Sequence, residues 1–183
     1  MKEGFHKYLE IAIFMETEII NRVSTSPLIT LDLEEHYDTH ERVVYDLKEN
    51  LFMGLILKEK DFREFLKTHD WTQYTNKNVA ITCTEDAIVP MWAYMLLATK
   101  LQPFANMVVF GDVQALETKL FEEAINKIDV EFYRDKKVVI KGCSKVPVPA
   151  TAYVEITRKL TPVVQSLMFG EPCSTVPLYK KAK

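Results

Sequence analysis

Three cysteines, Cys83, Cys143 and Cys173, are the residues of this chain best suited to chemistry, and they are far apart with no CxxC pair among them. Thiolates ligate soft metals, so three that met in space would hold zinc or an iron–sulfur cluster. A fourth position would be left for a substrate, a partner or a non-cysteine ligand. A second reading makes Cys143 a reactive thiol, because Lys141 and Lys145 flank it and positive charge favours a thiolate. Its catalytic set is Cys143 and Lys145 with the carboxylates Glu85 and Asp86. No histidine follows Cys143; His6, His36, His40 and His69 all precede Cys83, so a Cys–His pair would need a long-range contact. The third reading is structural, since a thiol without local preorganisation packs like a small hydrophobe.

Other patterns carry less. EEHYDTH, residues 34 to 40, sets His36 and His40 four apart among acids, which on a helix would suit a divalent ion and in a loop is solvated polarity. Glu85 and Asp86 precede a helix, where acids are ordinarily caps. GDVQALE, residues 111 to 117, opens a helix whose N-terminal end Asp112 already fills. No P-loop, GxGxxG, HExxH or GxSxG pattern occurs.

The elements that must position these residues follow from periodicity. Residues 1 to 24 space Phe5, Leu9, Ile13, Ile20 and Val23 as an amphipathic helix. Ile29 to Leu33, Val43 to Leu47 and Leu55 to Lys58 read as short strands, antiparallel or irregular. Phe62, Phe65 and Leu66 mark a short helix. Then come a buried strand Asn78 to Cys83, a helix Pro90 to Leu101, a strand Met107 to Phe110, a helix from Asp112 to Ile128, a strand Lys137 to Gly142 and a helix Ala150 to Leu160. This alternation predicts an α/β fold: a mixed sheet with a parallel β-α-β-α-β-α unit. Cys83 and Cys143 then end strands on the edge where open α/β sheets bind ligands, about 4.8 Å apart if the strands are neighbours and about 9.6 Å if one intervenes. A helix running straight from Ala150 to Met168, about 28 Å, would strand Cys173 at the opposite edge. Pro162 breaks it, and a short second helix turns back into a C-terminal extended strap in which Pro172 and Pro177 hold Cys173. No internal repeat is evident.

With 183 residues and 48% hydrophobic content the chain suits one globular domain. Lys+Arg 23 against Asp+Glu 26 gives a net charge of −3, which lacks the positive surplus that nucleic acid requires. The apolar stretch near the start is too short and too interrupted for a signal peptide or a membrane span. An odd number of cysteines suits a reducing, cytoplasmic compartment. Met91, Trp92, Tyr94, Met95, Leu96 and Leu97 make the second helix of the pattern apolar almost all round, which implies deep burial or a homodimer contact.

The stretches IINRVSTSPLITLDLEEHY, GLILKEKDFREFLKTHDWTQY, AIVPMWAYMLLATKL, KGCSKVPVPATAYVEITRKL and GEPCSTVPLYK together resemble an uncharacterised bacterial family, a domain of unknown function seen mainly in Bacteroidetes. The resemblance runs from about Met15 to the end, leaving 1–14 as an N-terminal extension, with Met15 as an alternative start, and 15–183 as a single α/β domain. It implies no activity. It implies a gene neighbourhood shared with the sulfur-mobilising iron–sulfur assembly system, and so iron–sulfur assembly proteins as partners. The expectation is therefore an accessory factor in iron–sulfur or metal handling through Cys83, Cys143 and Cys173. A thiol-dependent enzyme on a small substrate and a non-catalytic dimeric scaffold stand as alternatives.

Overall fold

Short β-branched runs need neighbours on both sides to satisfy their backbone, and the computed structural model, which describes residues 28–142 and 145–182, shows where each finds them. In chain order the elements are β1 (Leu28–Asp32), β2 (Arg42–Asp46), α1 (Glu59–Thr68), β3 (Asn78–Thr82), α2 (Met91–Leu101), β4 (Met107–Phe110), α3 (Val113–Asn126), β5 (Lys137–Lys141), α4 (Ala150–Leu160), β6 (Ser166–Glu171) and β7 (Ser174–Lys180). The helix expected over residues 1 to 24 lies outside the described residues, as does Cys143.

The protein is a mixed α/β fold, but its strands divide between two sheets. One is all parallel, in the order β2-β3-β4; the other runs β1-β5-β6-β7, with only β7 antiparallel. The expected β-α-β-α-β-α unit is thus broken after β4. Strands β1 and β2, expected to be antiparallel or irregular, are parallel partners of β5 and β3. Leu55 to Lys58 is not a strand; Ile56 makes only isolated bridges to Phe52 and Ile88. After Pro162 no second helix forms. The chain turns straight into β6, and the expected strap is a β6–β7 hairpin.

Helix α3 explains the break. Its Leu116 and Leu120 bury against Ala80 and the flanking Met107 and Val109 of the first sheet, while its Phe121 and Ile125 bury with Val138, Ile140 and Leu167 of the second. A helix apolar on both sides holds two sheets apart, whereas α1, buried only through Phe62 and Leu66, keeps a charged outer face. Asp112 caps α3 as its sequence requires, accepting from the Ala115 amide at 2.8 Å.

The two sheets also expose a repeat that the sequence had hidden. Phe62 and Phe121, Asp70 and Asp129, Tyr74 and Tyr133, Pro90 and Pro149, Leu101 and Leu160, Pro103 and Pro162, and Phe110 and Phe169 are each separated by the same 59 residues. Equivalent residues make equivalent bonds. The Asn76 amide donates to the Phe104 carbonyl at 2.9 Å and the Asp135 amide to that of Val163 at 2.8 Å, with Asn76 and Asp135 both at positive φ, 58° and 56°. Tyr94 and Phe110 meet edge-on at 5.0 Å, and Tyr153 and Phe169 do so at 5.7 Å. Each unit is thus helix, turn, strand, helix, strand: α1 to β4 in the first and α3 to β6 in the second.

Strands β1 and β2 complete the units in crossed order. LITLDLEEH pairs with β5 and RVVYDLKEN with β3, and each ends in an Asp whose carboxylate accepts from the amide two residues on, Asp32 from Glu34 and Asp46 from Lys48, both at 3.0 Å. The first unit is therefore inserted between β1 and the rest of the second.

Because Leu116 and Leu120 alone join α3 to the first sheet's core, Leu120→Ala is expected to cost about 2–5 kcal/mol in urea unfolding. An outer-face change such as Lys119→Ala on the same helix should stay within about 0.5 kcal/mol.

Candidate functional site

Strand β6 runs parallel to β5, so its end and the hairpin that follows reach the same edge as the end of β5. Cys173 sits exposed in that hairpin, between Pro172 and Ser174. Lys141, the last residue of β5, sets its ammonium 3.5 Å from both Asp32 and Glu171, which ties the ends of β1, β5 and β6 together. Gly142 follows, in a space where the Tyr153 side chain already lies against the backbone and no Cβ would fit. Lys145 lies beyond, its amide donating to Glu34 Oε1 at 3.1 Å.

Cys83 belongs to the other sheet. It packs half-buried on the core formed by Leu97, Val79 and Phe62, its thiol directed to the Glu85 carbonyl at 3.6 Å. That core lies on the α1 and α2 side of the first sheet, and α3 lies on the other, so Cys83 and Cys173 are separated by two packing layers, on the order of 20 Å. Glu85 and Asp86 are exposed on the loop beyond Cys83. They do not cap α2, whose N-cap is Pro90. The proposed catalytic residues are therefore split, Glu85 and Asp86 following the first sheet and Lys145 the second. Among the described residues no three His, Cys, Asp or Glu side chains are placed to hold one metal ion.

The EEHYDTH segment forms a 3-10 turn, Leu33–His36, and then a loop, so His36 and His40 do not share a helix face. Its aspartate has another use. Asn78, buried at the start of β3, donates to Asp38 Oδ1 at 2.7 Å and accepts from Asn106 Nδ2 at 2.8 Å. Burial pushes the Asp38 carboxyl up, but hydrogen bonds from Asn78 and from the His40 amide and ring, with the imidazole's charge, outweigh it and leave it below its ordinary value. Beside it Arg42 donates to both oxygens of Glu117 on α3, at 2.6 and 3.1 Å, and to the carbonyls of Asp38 and His40. This network joins β2 and the loop before it to the bridging helix, and nothing in the local sequence pattern announced it.

Two clefts open at matching places in the two units, between the 3-10 turn after the first strand and the helix. Glu35 and Glu49 are equivalent in the repeated Asp-Leu-x-Glu, as are His36 and Asn50, and Ala124 and Phe65. The cleft of about 450 Å³ has Glu35, His36, Glu123 and Lys127 over a floor of Met107 and Leu120. The cleft of about 380 Å³ has aromatic rings instead. The 59-residue offset of the helices together with the 14-residue offset of the two Asp-Leu-x-Glu turns was the signal that would have found both.

A family model described as a protein of unknown function (DUF2480) matches residues 17–181. No curated protein and no solved structure matches the chain.

Replacing Asn78 by Ala leaves Asp38 and Asn106 without their buried partner and is expected to cost about 1–3 kcal/mol at neutral pH. Asp38 titrates below its unfolded-state value near 4, so its contribution is complete above that value and lost as pH falls through the lower folded one. Urea unfolding should therefore show the gap between Asn78→Ala and the parent narrowing between pH 7 and pH 3.

Proposed function

Because the chain belongs to the DUF2480 family, whose description carries no activity, we propose from its exposed thiol at Cys173 that it is an accessory factor in soft-metal or iron–sulfur handling. The observation that carries this reading is the position of Cys173: exposed, on a hairpin at the edge where β5 delivers the chain to Cys143. We take Cys143, two residues past the end of β5 in the sequence, as the companion of Cys173; two thiolates are half of a four-cysteine set, and a second copy of the chain or an iron–sulfur assembly protein supplies the others. When bound, the metal or cluster supplies the soft-ligand or electron-transfer chemistry. This chain's residues hold it and leave its outer side open to the partner. Cys83, beyond the end of β3 in the first sheet, is distant from Cys173 within one chain and is left out of the proposed set.

A dimeric scaffold is the second reading. Met91 and Met95 are exposed apolar residues on α2, with Ile88 exposed in the loop before it and Leu55 and Met53 in the loop after β2. No helix among the described residues is long and apolar enough to cross a membrane, and a cytoplasmic location accords with free thiols.

Purification without oxygen, followed by visible spectroscopy and elemental analysis, tests the proposal. Colour or bound metal should persist in Cys83→Ser and be lost in Cys143→Ser and in Cys173→Ser, at one site per two chains if copies pair. A colourless, metal-free parent protein that stays so after incubation with iron and sulfide defeats it.

A further inference from the structure

The cleft of the first unit is lined by rings that its counterpart in the second unit lacks. Tyr45, Phe65, His69 and Tyr74 line it, with Asp46 and Glu49 as its two carboxylates. The equivalent residues of the second unit are Leu31, Ala124 and Ile128 in place of Tyr45, Phe65 and His69, with only Tyr133 kept for Tyr74. The matching strand, turn and helix of the second unit fold around smaller side chains at three of these places, so the architecture does not dictate rings there; Tyr45 and Tyr74 also belong to the first unit's buried core, and Phe65 and His69 are the more open of the four.

The rings form a continuous wall. His69 lies 4.8 Å from Phe65, 6.3 Å from Tyr45 and 6.0 Å from Tyr74 between ring centroids, and Trp71 stacks behind Tyr45 at 6.2 Å. Gln73 and Tyr74 sit 3.0 and 3.4 Å from His69 Nε2. Burial lowers the affinity of the imidazole for a second proton more than Asp70 restores it. The wall is therefore uncharged at neutral pH and presents electron-rich rings.

Burial pushes the Asp46 carboxyl up, but hydrogen bonds outweigh it and hold the group below the usual range. Asp46 accepts from the Thr84 hydroxyl at 2.6 Å, from the Thr84 amide at 3.1 Å and from the Lys48 amide at 3.0 Å. The Lys48 ammonium, 3.6 Å from Asp46, does not line the cleft. Glu49 is exposed and has no ion pair among the described residues. An aromatic wall with an uncompensated carboxylate at its rim matches one ligand chemistry, a cation whose charge is spread over alkyl groups, held by ring faces and by the carboxylate.

We infer that this cleft binds an alkylated ammonium group, of the size of the choline headgroup. The site is separate from the cysteine edge and stands whether or not that edge holds metal. NMR titration of the full chain with choline, and with its neutral isostere 3,3-dimethylbutan-1-ol, tests it. Choline at millimolar concentration should shift the ring signals of Tyr45, Phe65, His69 and Tyr74 while leaving the cleft at Glu35 unmoved, and should bind about tenfold more tightly than the isostere. Glu49→Gln, at an exposed position that folding does not depend on, should weaken choline binding severalfold and leave the isostere unchanged. Phe65→Ala, the residue the second unit carries at this place, should weaken choline at least as much. No shift of the ring signals, equal affinity for the neutral isostere, or choline binding indifferent to Glu49→Gln would each overturn the assignment.

Discussion

Everything in this molecule hangs on a helix that is apolar on two sides. Leu116 and Leu120 face one sheet, and Phe121 and Ile125, in the next turn, face another. Fully burying side chains of this size stabilises by about 1.5–3 kcal/mol each, and α3 collects that gain from both sheets at once. Without the outward pair, α3 would resemble α1, and the two units would share little besides chain connectivity. The bidentate contact of Arg42 with Glu117 sits on the same helix. Both partners are nearly buried, so the pair fixes where α3 lies along β2 more than it adds stability, since desolvating two charges offsets most of their attraction.

The two halves share one architecture and differ in their polar residues. Asn78 is buried and bridges Asp38 to Asn106, while its repeat equivalent, Lys137, is exposed. Phe65 lines an aromatic cleft where Ala124 leaves room for Glu123 and Lys127. The parts that hold the fold, Pro90 and Pro149 at helix starts, Leu101 and Leu160 in the cores, the Tyr and Phe pairs at the strand ends, stayed alike. The Asn78 network and the cleft linings are not alike.

Much of the element list was legible from periodicity, because β4 and α4 are short, punctuated by Pro and Gly, and alternate at spacings only a β-α-β path satisfies. What escaped was the assignment of strands to sheets. A helix between two sheets and a helix over one differ by a single extra apolar pair, here Leu116 and Leu120, which a one-face reading absorbs as ordinary amphipathicity. Two prolines around Cys173 suggest an extended strap in the sequence, where the structure has a hairpin. Yet β7 is an edge strand with an irregular register between Leu167 and Met168, where proline is tolerated. The clefts were invisible for a different reason: their rings and carboxylates come from β2, its turn and the α1 region, which periodicity treats one at a time.

The crossed order of β1 and β2 bears on how the chain leaves the ribosome. β1 is made before β2, yet its partner β5 is the fifth strand to be synthesised, after the entire first unit. Until then the unpaired amides and carbonyls of Leu28 to Asp32 remain open to any passing strand, its own neighbour β2 included. Such long-range pairing is slow to form. A nascent chain halted between the two units would carry a finished sheet beside one orphaned strand, a species open to wrong pairing until β5 arrives.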